Sequence, residues 1–317
     1  MKLFTGIALA LLAGTAPAQD AYPSKPIRVL VGYAAGGGND IIVRVMQPEL
    51  QKGLGQPVIV ENKPGAQGII AADLAAKATP DGYTIMMGPS GPMTINPATY
   101  SKLPYSPTRD FTPISMICEF PLLVTVSAAS PIRSLKDLIA YARANPGKSN
   151  YASSAGIFQI TTEMFKQRTG TAIEMIPYKS SGESVQAVVA GQVLMTITDP
   201  APATGALKAG TLRGLAVTSG RRHPSWPDLP TMAEAGVPDM EVPVWTAFFA
   251  PAKTPPAIVA RLQKEVARVV QTAEVRERFG QMGLDPVGGS SEDLGRRVAR
   301  DIEKWTAVAR AANIKND

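Results

Sequence analysis

The chain contains a single cysteine, Cys118, and a single histidine, His223. One thiol excludes an intramolecular disulfide. Cys118 lies in the apolar run ISMICEF, where a free cysteine behaves as a small core residue. His223 lies in the polar, proline-rich stretch RRHPSWPDLP and reads as a solvated loop residue. One sulfur and one imidazole, far apart in sequence, leave no ligand set for zinc and no Cys/His nucleophile pair. A GxSxG turn is also missing, which disfavours serine-hydrolase chemistry. Lys and Arg number 32 against 26 Asp and Glu, for a formal charge of +6, yet they never form a run. Nucleic-acid binders gather such residues into a stripe; scattered, they amount to a weak long-range attraction for anions. Beyond the first twenty residues nothing has the length of a membrane helix.

What the chain does carry begins at its N-terminus. Met1–Ala18 combines Lys2, an apolar run from Leu3 to Ala13 and the small residues Ala16-Pro17-Ala18. This is the layout of a cleavable secretory signal, so export to the periplasm is expected, with cleavage after Ala18. Gln19 rather than cysteine follows, which gives no support to a lipid anchor. The remaining stretch of about 299 residues exceeds one comfortable core, so two domains are expected. Hydrophobic residues at 45% and charged residues at 18% fit an ordinary globular protein.

Short β-rich runs alternate with helical patterns. IRVLVGY (Ile27–Tyr33), PVIVEN (Pro57–Asn62) and YTIMMG (Tyr83–Gly88) read as strands. Helices are expected between them at Asp40–Leu54, interrupted by Pro48, and at Gly68–Ala78. Apolar rather than alternating strands in β-α-β-α-β order predict a parallel sheet covered on both faces. A second α/β series follows: PLLVTVS, a helix capped by Ser134, NYASSAG, a helix near Thr161–Arg168, AIEMIPY, a helix near Gly182–Ala190, and VLMTITD. Thr231 and Glu234 fit a capping box. Two amphipathic helices close the chain, one opened by Thr254 and two prolines, the other by Ser290-Ser291-Glu292-Asp293.

The sharpest local feature is YAAGGGND, Tyr33 to Asp40, set between a strand and a helix. Three consecutive glycines let backbone N–H groups approach a bound group closely, and a helix N-terminus adds partial positive charge. Asn39 or Asp40 is the expected N-cap. The spacing matches neither G-x-G-x-x-G nor a P-loop, so an anion cradle and a purely structural turn both stay open. A comparable junction occurs at NYASSAGIFQ, where Ser153 and Ser154 offer hydroxyls beside backbone amides; there the plain alternative is ordinary N-capping. Two such cradles, one per α/β unit, suit a cleft that holds a carboxylate from both sides.

The stretches KPIRVLVGYAAGGGND, PVIVENKPGAQG, TPDGYTIMMGPSG, PYSPTRDFTPI, IPYKSSGESVQAVVAGQV and LPTMAEAG together resemble the Bug-type extracytoplasmic receptors of tripartite tricarboxylate transporter systems. The resemblance implies a type II periplasmic-binding-protein fold, two α/β lobes around a ligand cleft: residues 19–121 with 247–317 in the first lobe and 122–246 in the second. It implies a non-enzymatic solute receptor that needs no cofactor or metal and hands a carboxylate to separate permease subunits. A ligand-presenting subunit of a sensory system would use the same site. A monomer that binds no nucleic acid is expected. By position, the first cradle comprises Tyr33, Ala35, Gly36, Gly37, Gly38, Asn39 and Asp40, with Ser90 and Gly91. The second comprises Ser153, Ser154, Gly156, Phe158 and Gln159, with Asp199; Tyr178 and Trp245 join as further lining. Relatives carry a longer second-lobe loop with a histidine near the place of Gln159. Gln159 can donate a hydrogen bond but carries no charge. With no Lys, Arg or His in either cradle, an aromatic acid with one captured carboxylate is favoured over a compact dicarboxylate. Gly37 is expected to take a positive φ, so that valine there would block ligand approach.

Overall fold

Ile27–Val31 (β1) is buried at every position except Arg28, as befits a strand covered on both faces. It lies between Val58–Asn62 (β2) and Thr84–Pro89 (β3), parallel to both, with Val29 opposite Val60 and Ile85. These elements come from a computed structural model that describes residues 22–311 and 314–315. The leader expected at Met1–Ala18 lies outside the described residues. The crossovers are helices: α1 (Gly38–Leu54) buries Ile42, Val43, Met46, Leu50 and Leu54, and α2 (Ile69–Ala76) follows a 3-10 turn at Ala66–Gly68. Pro48 does not interrupt α1. It sits on the exposed side with Arg44, whose freed carbonyl can turn to water.

After β3 a π-helical turn, Gly91–Ile95, runs into α3 (Asn96–Thr99). Phe111–Phe120 (β4) then completes the first pass through this sheet. The chain crosses between Phe120 and Leu123 into a second sheet made of β5 (Leu123–Ser127), β6 (Asn150–Ser153), β7 (Glu174–Pro177), β8 (Met195–Thr198) and β9 (Leu212–Val217). Its spatial order is β7-β6-β8-β5-β9. The helices α4 (Leu135–Ala144), α5 (Gly156–Thr169), α6 (Ser181–Val189) and α7 (Pro200–Lys208) connect these strands. Ser134 and Asp137 close a full capping box on α4.

Residues 218–243 lead back to Val244–Pro251 (β10), which inserts between β4 and β3, antiparallel to both. The return is complete at Val244, three residues ahead of the expected boundary at 247. Thr231 and Glu234 do exchange capping hydrogen bonds of 3.1 and 2.9 Å. They close a single turn rather than a helix, because Gly236 at φ +89° and Pro238 follow. The remaining elements are α8 (Pro256–Val270), α9 (Ala273–Gln281), β11 (Asp285–Pro286) and α10 (Ser291–Ala311). The outcome is the expected two-lobed α/β architecture, with the first sheet assembled from two separated chain segments.

Cys118 is buried in β4, facing Thr246 and Pro286 on the flanking strands. His223 is not the solvated residue expected: it is only 7% exposed. Its Nδ1 accepts the Ser225 N–H at 3.2 Å, so Nε2 carries the proton toward Asp285 at 3.4 Å, and its ring packs on Trp226.

Candidate ligand-binding cleft

The glycine-rich loop after β1 ends on Gly37, so α1 begins at Gly38, and no side chain caps it. Asn39 and Asp40 therefore sit inside the first turn rather than at the N-cap. Asp40 turns its carboxylate back to the loop, accepting from the Gly36 N–H, Arg44 and Asn62 at 3.0 Å each. Burial alone would raise its pKa, but these bonds outweigh it and hold the carboxyl below the usual range. The left-handed residue is Gly36, at φ +80°. Gly37, expected to take that role, has φ −77°; a β-carbon there would stand 3.1 Å from Ser180 and 3.2 Å from the Ala34 carbonyl.

This loop presses on the second lobe. The Ala34 N–H donates to the Lys179 carbonyl at 3.2 Å, and the Gly38 N–H to Ser181 Oγ at 3.1 Å. A β-carbon on Gly38 would lie 1.6 Å from Asp199 Oδ2, so only glycine permits this approach. Asp199 is the N-cap of α7 and is 4% exposed. Its desolvation pushes the carboxyl up to about 6 despite hydrogen bonds from Ser181 and Thr198.

From the other side, β6 delivers Ser153 and Ser154 to the start of α5, whose N-cap is Ala155. Gly156 abuts the first lobe: its β-carbon would stand 2.8 Å from Gln67 Oε1 and 3.0 Å from Asn96 Oδ1. Beside it Gln67 Nε2 donates to Gln159 Oε1 at 3.0 Å, a direct bond between lobes. Gln67 gets there through an unusual backbone, since Gly65, Ala66, Gln67 and Gly68 all have positive φ. For Ala66 and Gln67 that conformation is strained, and such strain gathers at functional sites.

The amino ends of α1, α5 and α7 meet at a small inner chamber of about 20 Å³, lined by Tyr33, Gly38, Asn39, Ser154, Phe158 and Asp199 among others. That is room for about one water. An outer chamber of about 530 Å³ adjoins it, sharing Tyr33, Ser154 and Ala155 as walls. Two hydroxyls on these walls, of Tyr33 and Ser154, are buried without a hydrogen-bond partner among the described residues, as is that of Ser90, between the lining residues Pro89 and Gly91. Buried hydroxyls are ordinarily paired, and those left open beside three helix amino ends make a place prepared for an acceptor with negative charge.

The expected site residues divide accordingly. Tyr33, Gly38, Asn39, Gly91, Ser154, Phe158 and Asp199 line the inner chamber; Ser153 and Tyr178 line the outer one. Ser90 is buried between the lining residues Pro89 and Gly91. Gly156 and Gln159 lie on the seam between lobes. Ala35 and Gly36 open onto a separate outer groove against α6. Trp245 stands apart, fully buried in the first-lobe core, with its indole N–H on Asp301 at 2.8 Å. Sequence reasoning passed over Gln67, Lys179 and Ser181, although all three sit in PVIVENKPGAQG and IPYKSSGESVQ, stretches already singled out.

A family model, the tripartite tricarboxylate transporter family receptor, matches residues 42–314. The chain belongs to this family. Protein BugT of Bordetella pertussis is 36% identical over 98% of this chain and 96% of its own length. The solved structure of R. palustris Rpa4515 with adipate is 36% identical, with a TM-score of 0.89, covering 93% of this chain and 99% of that one. MatC (Rpa3494) from Rhodopseudomonas palustris, solved with bound malate, is 32% identical with a TM-score of 0.87, covering 90% and 99%. The family consists of solute-binding receptors, not enzymes. No helix among the described residues is long and apolar enough to cross a membrane.

Proposed function

We propose that this protein is a periplasmic, monomeric receptor that captures a small organic carboxylate by lobe closure and delivers it to a separate tripartite tricarboxylate-type permease. The observation that carries this reading is the pair of unpaired hydroxyls, on Tyr33 and Ser154, lining the chamber where three helix amino ends meet. Such groups stabilise a carboxylate without a cation in the inner chamber. Phe120, Phe158 and Val244 add apolar walls around those donors. Rpa4515 and MatC are solved with adipate and malate. An aliphatic dicarboxylate therefore takes precedence here over the aromatic acid expected from sequence.

A thermal-shift screen of mono-, di- and tricarboxylates tests the reading. A true ligand at 100 times its Kd stabilises the fold by about 2.7 kcal/mol, whereas no shift with any carboxylate refutes it. Deleting the gene should abolish uptake of that ligand. Unchanged uptake with lost induction would assign the chain to sensing instead.

A further inference from the structure

We propose that Lys179 is the specificity residue for a second carboxylate, so that the cleft reads a dicarboxylate by its two ends: one seated among neutral donors inside, the other on the Lys179 ammonium at the mouth. This rests on the receptor reading above.

Lys179 is the basic residue on the wall of the outer chamber, and the inner chamber has none. Its backbone is fixed by both neighbours: the carbonyl accepts the Ala34 N–H across the lobe interface, and its own N–H donates to Glu183 Oε2 at 3.1 Å. Glu183, the one carboxylate on the same wall, is thereby occupied with the start of α6, where its N–H also reaches Ser180 Oγ at 3.3 Å. The Lys179 ammonium, in contrast, has no ion-pair partner among the described residues. Arg44, on the helix that follows the glycine loop, is already paired with Asp40. An unpaired lysine on the wall of a cavity of about 530 Å³ offers an anion entering it a charge-assisted contact. The two chambers share Tyr33, Ser154 and Ala155, so a ligand running past these residues joins the inner donors to Lys179. A monocarboxylate of the same chain length fills the same path and leaves the ammonium in water.

The test pairs adipate with hexanoate, which share a six-carbon chain and differ in the second carboxylate. Calorimetry on the wild type should show adipate binding more tightly, with a preference that shrinks as salt is raised. Lys179→Ala should weaken adipate about fivefold and leave hexanoate within about twofold, as fits a charge-assisted contact at a wet rim. Lys179→Arg should restore most of the preference. An adipate preference that survives Lys179→Ala, or a loss that is equal for both acids, overturns the assignment while leaving carboxylate capture intact. If the wild type binds neither acid, the assignment falls together with the dicarboxylate reading.

Discussion

Gly38→Ala should cripple closure while leaving the fold intact. Gly38 has ordinary helical geometry at the first position of α1, so alanine is conformationally acceptable there and removes backbone freedom from the unfolded chain. In the closed form, however, the added methyl stands 1.6 Å from Asp199 Oδ2 and 2.7 Å from its Cγ. Asp199 is short, buried and held by Thr198 at 3.1 Å, so it cannot simply swing aside. The lobes must stay apart or Asp199 must break its bonds, at a cost of about 3 kcal/mol in the scale of overpacked sites. Charged against closure alone, that lowers affinity about 150-fold. Calorimetry with the best carboxylate measures the loss, and small-angle scattering shows whether ligand still shrinks the molecule. In an Asp199→Ala background the obstacle is gone, and Gly38→Ala should then change affinity less than about threefold. Unchanged binding by Gly38→Ala, or an equal loss in both backgrounds, would refute the reasoning.

Three further outcomes follow from other contacts. Asp199, pushed up to about 6 from 3.8, binds its proton more tightly in the folded than in the unfolded chain. Its contribution is therefore fully present below pH 4 and lost as pH rises through 6, roughly 3 kcal/mol over the window. Urea midpoints from pH 4 to 7.5 should show the wild type losing stability with rising pH relative to Asp199→Asn, and parallel profiles would contradict this. Ser154→Ala removes a hydroxyl with no partner among the described residues, so the ligand-free melting temperature should hold while carboxylate affinity drops about tenfold; a melting loss without an affinity loss would make the hydroxyl structural. Trp245→Phe deletes the indole bond to Asp301 and should cost about 2–3 kcal/mol of stability with affinity unchanged by calorimetry, an outcome reversed if Trp245 reaches the cleft.

The strands whose apolar residues run nearly unbroken, such as Ile27–Val31 with Arg28 alone exposed, were legible because burial on two faces leaves that pattern in any single strand. Phe111–Phe120 and Val244–Pro251 were harder to read. Their pairing joins segments more than a hundred residues apart, and nothing local to either announces the other. The helix α9, polar over much of its length with only Val275 and Phe279 buried, gives little periodic signal. Within the cleft, loops carrying glycine or serine before a helix were visible as chemistry. What lay beyond sequence was the partner of each loop. Gly38 looked like an open amide, but its N–H is taken by Ser181; Trp245 looked like cleft lining, but its strand carries it into the core. Lys179 belongs to neither cradle in sequence, and only folding brings it onto the wall of the chamber they share.

The burial of Cys118 has a practical side. Its thiol is wholly enclosed between β10 and β11, and desolvation raises its pKa well above the usual thiol value, so little thiolate is available to an alkylating dye. Leu74 on α2 and Tyr141 on α4 are both exposed, one on each lobe. Cysteines placed at these two positions would be the reactive thiols of the folded chain without any change at position 118. A donor and acceptor fluorophore attached there would turn the native scaffold into an optical gauge of lobe separation, reading carboxylate concentration directly.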